Sequence, residues 1–164
     1  MNCDEPGKAD ALALQVILAK LRQKRVTVLG PPCVGKSTIL RHLPRAIDMD
    51  DVLFPRLSEE EKRIVFQKPW IPAAGDLMRA LANEIITVEP GRPFFATVVI
   101  AADWIIYLDI DDELLRKRIE LRHERRQSFD DVKGIQAHLL RDIGSSGIPS
   151  HTYRIRAYSA SSAG

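Results

Sequence analysis

The chain has 164 residues, of which 45% are hydrophobic and 28% charged, a length that supports one buried core but not two ordinary domains. Its formal net charge is only +2, which excludes a polycation, so any contact with nucleic acid must come from local basic clusters. The two cysteines, Cys3 and Cys33, exclude a disulfide framework and favour a reducing compartment, which predicts a cytoplasmic protein.

The first predicted element is a core helix after a polar start. Asp10 is in position to cap a helix that runs to about Gln23, with apolar side chains at helical spacing on one face. The longest apolar stretch, Ala11 to Ala19, contains Gln15 and is too short to span a membrane. We therefore expect the helix to pack on the core and the protein to have no membrane partner.

A phosphate-binding loop follows the first predicted strand. The apolar run 26–29 leads into the pattern G-x-x-x-x-G-K-[ST], after which an apolar-periodic helix, 39–43, begins. In such a loop, backbone N–H groups and the helix start surround phosphate oxygens, the lysine reaches the terminal phosphates and the serine holds Mg²⁺. The predicted nucleotide-binding residues are Gly30, Pro31, Pro32, Cys33, Val34, Gly35, Lys36, Ser37 and Thr38. Lys36 is also a predicted catalytic residue, and Ser37 a predicted metal ligand.

Three acids follow a short second strand, which begins near Ala46. In a doubly wound sheet this strand end lies where ligands bind, and period-two alternation turns Asp48 and Asp50 to the same side, toward the phosphates. Carboxylates there can bind Mg²⁺ or accept a proton. Asp51 is predicted to cap a helix from Val52 onward, although it is also a candidate for the site.

The next segment is predicted to form part of a substrate lid. Ser58 and the acids after it begin a helix that ends near Phe66, and helical periodicity resumes from Gly75 to Ile86. Trp70 lies between two prolines, where an aromatic ring serves either as a packed loop anchor or as a platform for stacking a base.

Two apolar runs then predict strands that are unusually close together. Residues 94–100 form a continuous apolar run, and 104–108 form another. Residues 101–103 are too few for a crossover helix, so either the first run ends early or this region departs from regular alternation. Asp103 and Asp109 are candidates for a second Mg²⁺-binding acid or for strand-end caps.

A strongly basic helix follows, from Leu114 to about Arg125. Arg118, Arg122 and Arg125 line one face of it, and such a row is either a solvated face or a site for an anionic ligand. A helix capped by Ser128, a glycine-rich loop and a last strand complete the chain.

These motifs together resemble those of the small P-loop kinases that phosphorylate hydroxyl groups, over about residues 26–156. Shikimate-kinase-like enzymes have a similar D-x-D after the second strand, and polynucleotide 5′-hydroxyl kinases a similar apolar-x-x-D-D. Both resemblances imply that Asp50 accepts the proton. The spacing of Lys117, Arg118 and Arg122 is similar to that of the lid arginines of polynucleotide kinases, and base-hydroxymethyl DNA kinases of phages look like distant relatives.

The sequence is therefore interpreted as an α/β, P-loop NTPase-type fold with a doubly wound, mostly parallel sheet of about five strands flanked by helices. We expect a flexible N-terminus over 1–9, a single kinase domain with helical lid segments over 10–157 and a flexible tail over 158–164.

The predicted activity is transfer of the γ-phosphate of ATP, with Mg²⁺, to a hydroxyl group. The predicted catalytic residues are Asp50, Lys36, Arg118 and Arg122, and the predicted metal ligands are Ser37 and Asp48. The acceptor is expected to be a nucleoside, a nucleotide or a nucleic acid such as DNA. A small-metabolite kinase is the first alternative. A nucleotide-binding switch or ATPase that needs no acceptor is the second.

Overall fold

A computed structural model describes residues 5–122 and 127–156. Its centre is a five-stranded sheet in the order β2-β3-β1-β4-β5, in which every neighbouring pair is parallel. The strands are β1 (Val26–Leu29), β2 (Ile47–Asp48), β3 (Phe94–Ala96), β4 (Trp104–Asp109) and β5 (Ser150–Arg154). The five parallel strands predicted from the sequence are thus confirmed. The predicted tail, 158–164, and Arg125 lie outside the described residues.

Seven α-helices among the described residues cover the two faces of the sheet. They are α1 (Lys8–Lys20), α2 (Lys36–Leu40), α3 (Met49–Leu53), α4 (Glu59–Val65), α5 (Pro72–Ile85), α6 (Asp112–Leu121) and α7 (Phe129–Ser146). Buried side chains of α1, α2 and α6 form one core cluster with Val26 and Val28. Those of α3, α4, α5 and α7 form the other with Leu29, so β1 is buried on both faces.

The start of α1 differs from the prediction that Asp10 caps it. The helix begins at Lys8, after Gly7 in the left-handed conformation (φ 80°). Asp10 lies in the first turn, only 5% exposed, and accepts hydrogen bonds from the Tyr153 hydroxyl (2.7 Å) and the Arg156 N–H (3.2 Å). Burial, and to a smaller extent the hydrogen bond to Asp10, raises the pKa of Tyr153 to about 12. The carboxylate thus holds β5 and the residues just after it, rather than the start of the helix.

The connection between β3 and β4 resolves the ambiguity of the two apolar runs, because the first run ends early. β3 stops at Ala96, and residues 97–103 return to the start of β4 without a helix. The Asn83 side chain on α5 holds this segment, since Nδ2 donates to the Val99 carbonyl and Oδ1 accepts from the Ala101 N–H, both at 2.9 Å. One side-chain amide therefore pairs backbone groups that a regular element would satisfy.

We predict that Asn83→Ala lowers the free energy of unfolding by about 1–2 kcal/mol, because it leaves these two backbone groups without their amide partner. Asn83→Asp keeps the acceptor for Ala101 and should fall between Asn83→Ala and the parent. Urea denaturation provides the measurement, with Glu84→Ala as the control on the same exposed helix face. An Asn83→Ala protein as stable as the Glu84→Ala control would contradict this role.

Candidate functional site

The phosphate loop joins β1 to α2 and is bent by two left-handed residues. Cys33 has φ 67° and Gly35 has φ 107°, and Gly35 is the residue that precedes α2. Such turns bring successive backbone N–H groups to one side and form a concave anion site. A Cβ atom on Gly30 would lie 3.0 Å from Val34 Cγ1 and 3.2 Å from Leu108 Cβ, so the loop starts where only glycine fits without displacing its neighbours.

Lys36 lies across this loop. Its Nζ donates to the carbonyls of Gly30 and Pro31, both at 2.7 Å. Burial lowers the pKa of Lys36 to about 8, while the charges of Asp50 and Asp48 act in the opposite direction. Both predicted carboxylates are therefore close enough to act on the lysine. A partly desolvated ammonium group at this position can attract the oxygens of a bound phosphate.

Asp48 and Asp50 reach the loop by a different route from the one predicted. β2 ends at Asp48, whose Oδ1 accepts a hydrogen bond from the Asp50 N–H (3.0 Å) and so caps α3. Asp50 is therefore in the first turn of that helix, so the alternation of side chains along a strand does not determine its orientation. The prediction that Asp51 caps the helix is wrong, because the helix starts earlier and Asp51 is an exposed residue within it.

The two predicted catalytic arginines both lie at the loop. Arg118 Nη1 donates to the Val34 carbonyl at 2.5 Å, and a Cβ atom on Gly35 would come within 2.7 Å of the same nitrogen. Burial lowers the pKa of Arg118. Arg122 Nη1 lies 3.8 Å from Cys33 Sγ, and its charge contributes to the low pKa of Lys36. Helix α6 and the residue that follows it thus bring two guanidinium groups to the predicted phosphate site.

Other charged side chains of α6 point away from the loop. The Arg116 guanidinium stacks on the Phe129 ring, with Cζ 3.9 Å from the ring centroid, and Lys117 Nζ lies 3.8 Å from Glu113 Oε1. Among the described basic residues from 116 to 122, Arg118 and Arg122 contact the phosphate loop, whereas Arg116 and Lys117 have partners elsewhere.

Three further candidates, Asp103, Asp109 and Trp70, have structural partners. Asp103 pairs with Arg25 (2.9 Å), a bond that lowers the pKa of this carboxyl, and Asp109 pairs with Arg154 (2.8 Å). Trp70 packs edge-on against His138, with 5.4 Å between ring centroids. These contacts give Trp70 the role of a loop anchor, one of the two alternatives for it.

Sequence reasoning missed a polar chain that joins α6, α7 and the sheet. Lys133 Nζ donates to Asp112 Oδ1 (2.7 Å) and to Gln136 Oε1, and Gln136 Nε2 donates to the Tyr107 hydroxyl (3.0 Å). This polar chain fixes the start of α6 relative to β4. The available signal was Gln136, a polar residue at helical spacing among the buried, mostly apolar residues of α7.

A second group missed by sequence reasoning links α5 to α7. His138 Nε2 lies 2.9 Å from Asp76 Oδ1, and His138 Nδ1 lies 3.4 Å from Asp142 Oδ2. Two carboxylates and an imidazole are suitable metal ligands. Arg79, however, pairs with both Asp76 and Asp142 and supplies positive charge at the same place. This group is therefore an ion-pair cluster between the two helices.

The comparisons with known proteins support the fold. A crystal structure of shikimate kinase from Bacteroides thetaiotaomicron matches with a TM-score of 0.50 and 15% sequence identity, covering 79% of this chain and 85% of that one. No protein-family model matches the chain, and no curated protein is similar to it in sequence. The predicted P-loop NTPase-type fold is thus confirmed. Among the described residues, no helix is long and apolar enough to cross a membrane.

Lys36 should react with an acylating reagent with a pH midpoint near 8 rather than at the 10.5 of an ordinary lysine, because only its neutral amine is nucleophilic. Asp50→Asn should move this midpoint to lower pH, since it removes a negative charge that raises the pKa. Mass spectrometry of acylated peptides across pH gives the rates, with exposed Lys20 as internal reference and Asp51→Asn as the matched variant. An unmoved midpoint in Asp50→Asn would mean that Asp50 does not act on Lys36.

Proposed function

We propose that this protein is a kinase that transfers the γ-phosphate of ATP to a hydroxyl group. The observation that carries the proposal is the convergence of Arg118 of α6 and Arg122, the residue that follows this helix, on a phosphate loop crossed by Lys36. Phosphoryl transfer depends on positioning and on offsetting the charge of the transferring group, and three cations at one loop suit that task.

The roles of the acids follow from their position beside Lys36. Ser37 and Asp48 present the hard oxygen donors that Mg²⁺ prefers, so we assign them to the metal, which when bound neutralises charge on the phosphates. Capping of α3 uses one oxygen of Asp48, and a carboxylate has a second. Asp50, in the first turn of α3, is assigned to orient the acceptor hydroxyl and accept its proton.

Two acceptor classes are supported by different observations. The four basic side chains between positions 116 and 122 favour a nucleoside, a nucleotide or a nucleic acid, and this class is our first proposal. A small-metabolite hydroxyl is the second, favoured because Arg116 and Lys117 have partners within the protein and because one structural neighbour is a shikimate kinase. In that case Arg118 and Arg122 serve the ATP phosphates alone.

Incubation with ATP labelled at the γ-phosphate and parallel acceptor panels tests the proposal and separates these classes. The panels are DNA, RNA, nucleosides and nucleotides in one arm, and sugar, polyol and cyclitol alcohols in the other. We expect label in one arm, and none with Lys36→Ala, which removes the charge that faces the phosphates. Release of labelled inorganic phosphate with no labelled acceptor in either arm would favour the nucleotide-dependent switch.

Asp50→Asn should lower the rate of transfer to the acceptor by about 10²- to 10⁴-fold, the usual contribution of a general base, with little change in ATP affinity. Asp51→Asn is the matched control, since Asp51 lies in the same helix turn but is exposed, and it should retain near-parental transfer. Transfer rates at saturating acceptor and ATP dissociation constants are both needed. Transfer at the parental rate by Asp50→Asn would rule out this assignment of the base.

A further inference from the structure

A cavity lies at the opposite end of the sheet from the phosphate loop. It is bounded by the C-terminal half of α1, the turn after α2 and the turn before β3, and it has a volume of about 280 Å³. Val26 and Ala46, which line it, stand at the starts of β1 and β2, whereas the phosphate loop follows the end of β1. The cavity is thus a separate feature from the proposed kinase site.

The wall of this cavity is mostly apolar and its rim is basic. Leu18, Leu21, Val26 and Leu43 are among the apolar lining residues, and the charged lining residues are Arg22, Lys24 and Arg45, all exposed. No acidic residue lines the cavity. An apolar wall with a few converging charged groups is the usual composition of a small-ligand site.

The rim cations have no carboxylate partner in the described part of the chain. Of the ion pairs formed within residues 5–122 and 127–156, none involves Arg22, Lys24 or Arg45. Lys24 does lower the pKa of Asp103, but that carboxylate is bonded to Arg25. An anion at the rim would therefore meet cations that no described acid pairs with.

We propose that this cavity binds a small amphiphilic anion, a molecule with an apolar body and one carboxylate group. The apolar body fills the space between α1 and the strand starts, and the carboxylate accepts hydrogen bonds from Arg22 and Arg45. A polyanion, charged along its whole length, would leave the apolar wall unused, and a neutral hydrocarbon would leave the rim cations unused. The volume suits a body near the small end of ordinary ligands.

Calorimetric titration of the full chain with octanoate, and in parallel with octanol, tests the proposal. We expect saturable one-to-one binding of octanoate, and binding of octanol that is weaker by about tenfold or more, because charge-assisted hydrogen bonds are absent. The double variant Arg22→Ala with Arg45→Ala should bind octanoate more weakly than the parent by about the same factor. Lys20→Ala with Arg41→Ala removes two nearby exposed cations outside the cavity and should bind as the parent does.

A variant that fills the cavity separates binding from general surface charge. Ala19 lines the cavity but is exposed, so Ala19→Trp can occupy the space without overpacking the core, and it should abolish octanoate binding. Equal affinity for octanol and octanoate, unchanged binding in Ala19→Trp, or no binding at millimolar octanoate would each overturn the proposal. Displacement of octanoate by single-stranded DNA or by an acidic peptide would also overturn it and assign this face to that partner.

Discussion

The position of β1 is the constraint on which the rest of the structure depends. Its residues are buried on both faces, and it pairs with β3 on one side and β4 on the other. The pairing extends one residue beyond the strand, since the Gly30 N–H donates to the Ala96 carbonyl (3.2 Å). The first residue of the phosphate loop is therefore held by the sheet itself. A loop supported in this way pays little ordering entropy when it binds an anion.

The charges around the loop explain why several distant elements must meet there. Burial lowers the pKa of both Lys36 and Arg118, so each cation is held in surroundings that disfavour its charge. The charges of Asp48 and Asp50 raise the pKa of Lys36 and so partly offset the effect of burial, whereas the charge of Arg122 lowers it further. A region that concentrates poorly solvated positive charge gains most from a ligand with several negative charges. This balance favours a triphosphate more than a single carboxylate.

The sequence predicted those features that local pattern determines. The strand 26–29, the phosphate loop and the helix start at Ser58, which the structure shows as a capping box with Glu61, all appear because each depends on residues that are adjacent or one turn apart. The errors concern residues whose role depends on distant partners. Asp10 resembles a helix cap, yet its partners lie more than 140 residues along the chain.

The acids after β2 show the same limit at shorter range. Three acids in four positions all suit a helix start, and only the pairing of Asp48 with Phe95 of β3 determines that the strand ends there and the cap is Asp48. Convergence of Arg118 and Arg122 on the loop was predictable from the resemblance to kinases. The stacking of Arg116 on Phe129, a residue of another helix, was not predictable, because no short pattern encodes a contact between distant elements.

The helix-free return from β3 to β4 packs in the same core as α5 and α7, the two helices that the ion-pair cluster joins. Without a crossover helix, Val98, Val99 and Ile100 are buried beneath helices that come from other parts of the chain. Arg79 of α5 forms an ion pair with Asp142 of α7, and the His138 imidazole contacts the Asp76 carboxylate, so polar side chains join the two helices. An apolar contact alone would allow the two helices to slide, whereas paired charges at fixed positions set one register. Because Asn83, on the same α5, also binds the returning segment, one helix fixes both the cover of this face and the chain beneath it.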